Sequence, residues 1–167
     1  MAHFDSITEQ KLILKRKLLE NQNVVDLLMN VGDNVADFTH YKTGSRSPAK
    51  DYVKTRFFVP GTEQVDHNYI TMKSRIVYAA NNVVDAVEII IYVICNDAQA
   101  DMLQGTRADL IANEVDMILN SDDPTLFGYG GIVRGNAEEV RFADGISGWQ
   151  IPYRTHEINR KAELLSG

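Results

Sequence analysis

VVDAVEIIIYVIC, residues 83–95, is the most apolar stretch of the chain, and its reading decides the fold. It is rich in Val and Ile, which suit an extended backbone, and from Ile89 onward it is apolar at both parities. Successive side chains of a strand point to opposite faces, so a strand apolar at both parities must be covered on both. A helical layer serves one face, and a neighbouring subunit or the N-terminal helix must serve the other. The uninterrupted run from Ile89 to Cys95 falls far short of the roughly 20 residues that span a bilayer, so a membrane protein is not expected. Cys95, the single cysteine, excludes an internal disulfide and a cysteine-rich zinc site; within this run it reads as a small hydrophobe in a reducing compartment.

Outward from this segment the elements follow by periodicity. On the N-terminal side, residues 69–79 (YITMKSRIVYA) form a second strand candidate, joined to the first through a turn at Asn81-Asn82. Before it, Tyr52, Lys54, Arg56 and Phe58 alternate with Val53, Thr55, Phe57 and Val59, a strand closed by Pro60-Gly61. On the C-terminal side, Thr106 and Asp109 form a capping pair. Ala108, Ile111, Val115 and Ile118 then make the apolar stripe of a helix over 106–120, stopped by Ser121 to Pro124. Two further strands are expected, at about 126–142 and 148–156.

The first third reads differently. Ser6 and Glu9 have the form of a capping box, and Ile7, Leu14, Leu18, Val25, Leu28 and Val35 give one stripe, predicting a long helix over 6–35. The polar run Asn21 to Asn23 marks a place for the helix to bend or break, and Gly32 a place to end. Residues 40–51 (HYKTGSRSPAKD) have turn chemistry and no period, hence an exposed loop. The expected architecture is a single α+β domain over 1–167: a mainly antiparallel sheet of about five strands over 52–160, flanked by the long N-terminal helix and by a second helix after strand three.

Composition limits function. With 167 residues and 44% apolar content the chain is long enough for one packed core. Its net charge of −6 is the wrong sign for a general nucleic-acid binder, whose affinity comes largely from neutralising phosphates. The basic residues gather instead at Lys42, Arg46, Lys50, Lys54 and Arg56, against Asp51, a pattern that reads equally as a mobile loop or as a docking arm for an acidic neighbour.

No catalytic pattern is expected. His3, His40, His67 and His156 stand singly, without metal-ligand spacing, and no Cys-x-x-Cys occurs. Ser147, near Gly145 and Gly148, lacks the strand-turn-helix setting of a nucleophile elbow. Asp85 and Glu88 lie at opposite parities of their strand, so they do not act together as a hydrolase pair. The glycines Gly128, Gly130 and Gly131 are followed by neither the Lys-Ser/Thr nor the helix of a phosphate-binding loop. The sequence therefore predicts no catalytic residue, no cofactor and no metal. A phage-encoded nuclease built on Asp85 or Glu88 is the rival enzymatic reading.

Three segments together resemble the neck proteins of tailed bacteriophages, and the tail terminator (tail-completion) family most of all. They are FFVPGTEQVDHNYITMKSRIVYA at 57–79, VDAVEIIIYVIC at 84–95 and GTRADLIANEVDMILN at 105–120. The resemblance implies a structural virion protein: a homo-oligomeric ring, expected to be a hexamer, that ends the tail tube and joins it to the head-completion connector. It implies partners in the tail tube and connector proteins, DNA passing through without specific binding, and assembly in the bacterial cytoplasm. A head-closure or stopper protein of the same neck is the near alternative. The residues expected at interfaces are Lys42, Arg46, Lys50, Arg56, Arg107, Phe127, Tyr129 and Trp149.

Overall fold

A computed structural model of the chain describes residues 4–61, 67–78, 84–120 and 132–158. Helix α1 spans Phe4–Glu20 and helix α2 Gln22–Met29. Strand β1 is Val53–Lys54, β2 Tyr69–Tyr78, β3 Val84–Asn96, β4 Asp101–Met102 and β5 Gly105–Thr106. Helix α3 covers Arg107–Leu119, and β6 (Ile132–Arg134), β7 (Glu138–Ala143) and β8 (Ile146–Ile158) follow. The class is α+β, with a six-stranded sheet in the order β1-β2-β3-β8-β6, β7 also pairing with β8. All pairings in this sheet are antiparallel except β1 with β2.

β3, which takes in residues 84–95 of the apolar segment, lies at the sheet's centre. β3 pairs with β2 from Tyr78↔Asp85 to Tyr69↔Ile94, and with β8 along its whole length, from Val84↔Ile158 to Asn96↔Ile146. Its odd positions Val87, Ile89, Ile91, Val93 and Cys95 lie under the helices, against Leu14, Leu18, Val24, Val25, Leu28, Ile111, Val115 and Leu119. Each large aliphatic side chain sealed this way contributes about 1.5–3 kcal/mol relative to exposure. β8 comes so close to β3 that a Cβ on Gly148 would sit 1.8 Å from the Val93 carbonyl oxygen; only glycine fits there.

The other face is sealed by unexpected means. Tyr69, Ile90, Tyr92, Ile94 and Ile146 are buried there, with Tyr52, Phe58, Phe142 and Ala143 packed beside them. Among the described residues the cover on this face comes from no helix but from residues 57–58 and from β7. Phe57 lies 4.6 Å from Tyr92, Phe58 5.5 Å from Tyr69 and Phe142 5.9 Å from Tyr92, ring centre to centre. Only Val53 and Lys54 of the expected 52–59 strand join the sheet. The alternation of aromatics read as a strand instead serves a segment lying across the sheet.

The N-terminal helix also departs from expectation. It starts at Phe4, with Ser6 inside it, and breaks at Asn21, whose side chain accepts from Val24 N–H at 3.0 Å and so caps α2. It ends at Met29 instead of 35, and Val35–Asp37 forms a separate 3-10 turn. The helix expected at 106–120 is α3, with Thr106 as its cap through Asp109 N–H at 3.1 Å. The expected strand at 126–142 falls partly outside the described residues, and its described part is two strands, β6 and β7. The hairpin β4–β5 was not anticipated.

Candidate functional site

The loop at 40–51 carries exposed basic side chains on a seated backbone. Ser47 and Ala49 are fully buried, and the Ser47 hydroxyl accepts from Ala49 N–H at 3.1 Å to start the 3-10 turn Pro48–Asp51. Lys15 of α1 donates to the Lys50 carbonyl at 2.9 Å, which ties the loop down. Partial burial lowers the Lys15 pKa, and the charges of Lys54 and Lys50 push the same way against Asp51. Lysines 15, 50 and 54 therefore form one positive cluster at the β1 edge of the sheet. Arg56, exposed, lies 6.0 Å from the Phe58 ring centre, with Lys54 at 5.9 Å, so both cations rest on an aromatic base. Arg46 is exposed on the same loop. Lys42 is exposed too, but it follows Tyr41, whose backbone is held at α2 by Asp26 and Gln22.

Arg107 is not an interface residue. It is fully buried, and its guanidinium donates to the carbonyls of Gln99 (3.1 Å), Leu27 (2.9 Å), Asn30 (2.8 Å) and Gly32 (2.5 Å). The end of a helix leaves carbonyls without intrahelical partners and concentrates negative potential; a buried cation there answers both. Phe38 stacks 5.5 Å from the guanidinium. Its sequence position, one residue past the α3 cap, gave no hint of this.

Trp149 is half-buried, and its indole N–H donates to Asp109 at 2.7 Å. It forms part of a groove of about 680 Å³ between α3 and the β6–β7 connection. The acids of this groove are already engaged: Asp116 accepts from the Tyr153 hydroxyl and from Arg134, both at 2.9 Å. Burial, and then that bond to Asp116, drive the Tyr153 phenol pKa upward. Phe127 and Tyr129, the other expected aromatic contacts, lie outside the described residues, as do Gly128, Gly130 and Gly131.

Glu88 and Cys95, two of the residues weighed for chemistry, are otherwise occupied. Both carboxylate oxygens of Glu88 are taken, one by Arg75 of β2 and one by Arg154 of β8 at 3.2 Å. This makes a three-strand charge ladder, because the three residues face one another in register. Burial pushes the Cys95 thiol up to about 12, far from a reactive thiolate. Among the described residues no group of three or more His, Cys, Asp or Glu is placed to hold a metal ion, and no helix is long and apolar enough to cross a membrane.

Two surfaces escaped the sequence reading. At the opposite edge of the sheet from Lys54, β7 exposes Glu138 and Glu139, while Arg141 pairs with Asp144 at 3.2 Å. Beyond the end of β3, the tip of the β4–β5 hairpin holds Leu103 at 73% exposure. Leu103 N–H donates to the Asp33 carbonyl at 2.8 Å and Gln104 accepts from Val35 N–H at 3.4 Å, which sets Leu103 beside the loop carrying Val31 and Val35. Those two are 65% and 40% exposed, so the three make an apolar knob. The apolar pair Met102-Leu103 between Asp101 and Gln104 was the available signal.

The described residues thus form an α+β sheet with helices on one face, charged edges and exposed apolar side chains past the strand ends. The YomW family model matches residues 17–155, most of the chain, and the chain belongs to that family. The family's name is phage-derived and marks a phage-related protein. No curated protein matches the chain.

Proposed function

We propose that this chain is a structural subunit of the head–tail junction of a tailed phage, forming a ring that ends the tail tube and joins it to the head connector. The observation that carries this reading is the division of its surfaces. Charge lies on the two lateral edges of the sheet, where Lys50 and Lys54 stand opposite Glu138 and Glu139. Exposed apolar side chains lie past the strand ends, at Val31, Val35 and Leu103. A ring subunit needs this division: lateral surfaces for its sister copies and an axial surface for the tube or connector. The phage-related family supports the setting. A hexamer matches the symmetry expected of a tail tube, and an acidic ring lets DNA pass because like charges repel over about 8–10 Å.

Negative-stain microscopy of the purified protein tests the ring, and deletion of its gene in the phage tests the role. The expected result is rings, together with heads and tails that accumulate unjoined, the tails irregular in length. Normal virions from the deletion would overturn the proposal. Tails of correct length with leaking heads would assign the protein to head closure instead.

A further inference from the structure

We infer that the ring is closed by contacts between unlike sheet edges, the β1–β2 edge of one copy meeting the β7 edge of the next. This rests on the ring reading above and names the partner of the basic cluster: a second copy of this chain. Among the described residues neither edge pairs with a further strand. β1 pairs only with Ile70 and Thr71, and among the described residues no strand pairs with the outer side of β2 beyond them. β7 pairs with β8 alone. Open edges offer backbone donors and acceptors to another chain, and charge decides which chain is admitted.

The charges are of opposite sign. Lys50 and Lys54 lie close enough to Lys15 to lower its pKa beyond what burial does, with Asp51 opposing them, and Arg56 lies exposed over the same Phe58 ring as Lys54. At the second edge Arg141 is engaged by Asp144 and Arg134 by Asp116, which leaves the carboxylates of Glu138 and Glu139 to dominate. Placing like edges together, as a two-fold dimer would, sets lysine against lysine or glutamate against glutamate and is penalised. Placing unlike edges together is favoured. Contacts of that kind are head-to-tail, and they close into a ring when the rotation allows.

Lys50→Glu/Lys54→Glu makes both edges acidic, and Glu138→Lys/Glu139→Lys makes both basic. The substituted side chains are exposed or half-exposed, and circular dichroism checks that each variant keeps the fold. In sedimentation velocity at low salt each variant alone should lose the wild-type assembly, with an apparent affinity weaker by roughly tenfold or more. Mixed in equal amounts they should regain it as alternating rings, and the chain bearing all four substitutions should assemble by itself. Wild-type rings that persist in both variants overturn the inference while leaving the ring reading in place. So do variants that assemble normally but yield phage with unjoined heads, which would hand the basic edge to the connector. A wild-type chain monomeric up to its solubility limit overturns both.

Discussion

The odd and even positions of β3 run along one strand but are sealed by different materials. Odd positions from Val87 to Cys95 sit beneath three helices at no more than 1% exposure. Even positions face a cover assembled from single side chains: Phe57 and Phe58 from a segment without regular structure, Phe142 from β7, and at the far end the Arg75–Glu88–Arg154 ladder. The first seal is cooperative, since removing one contact leaves the helices in place. The second is built piece by piece, and Phe57 itself remains 46% exposed. A strand apolar on both faces thus demands cover without dictating its kind.

The largest test of this contrast is Ile91→Asp. A carboxylate placed beneath the helices has no partner, costs several kcal/mol and should abolish folding, read as loss of the cooperative thermal transition. A soluble, folded Ile91→Asp chain would show that the odd face is not sealed. A matched pair sharpens the comparison. Ile91→Ala should cost about 3 kcal/mol in urea unfolding and Ile90→Ala about 2, because the looser cover can settle into the gap. An equal or larger loss at Ile90 would put both faces on the same footing.

Smaller again is Glu88→Gln, which leaves Arg75 and Arg154 without their shared anion. Both arginines are about half exposed and water relieves much of the loss, so about 1 kcal/mol is expected, shrinking with added salt. The least effect at neutral pH belongs to Cys95. Its thiol stays protonated in the folded chain up to about 12, whereas the unfolded thiol ionises near 9.0. Its contribution to stability is therefore complete below pH 9 and lost as pH rises toward 12, and Cys95→Ala should flatten that decline. A wild-type profile no steeper than the variant's would place the thiol in contact with water.

The parts of the fold legible in the sequence are those whose signal is local. β2, β3, β8 and α3 announce themselves by composition, period and the Thr106 cap, and each appears within a few residues of its expected place. What was misread depends on remote partners. The aromatics at 57 and 58 alternate like a strand but serve the face of one, and nothing nearby distinguishes the two. The polar run at Asn21 left a bend and a break both open, and the side-chain bond to Val24 N–H, which starts a new helix, decides for the break. Of the expected interface residues, Arg46, Lys50 and Arg56 share the region of the basic edge and Trp149 lines a polar groove, whereas Arg107 lies inside. An arginine's partners cannot be read from its neighbours when they lie on another element.

Those partners lie far back along the chain. Arg107 bonds carbonyls 80, 77 and 75 positions earlier, at Leu27, Asn30 and Gly32. An eight-residue helix such as α2 has little stability by itself, so during synthesis its C-terminal end must wait for this side chain to leave the ribosome. Among the described residues β8 is the last long strand in chain order, and it lies between β3 on one side and β6 and β7 on the other. The end of α2 is therefore set in place before β8 arrives, and a nascent chain cut short of β8 is left with β3 bare along one side.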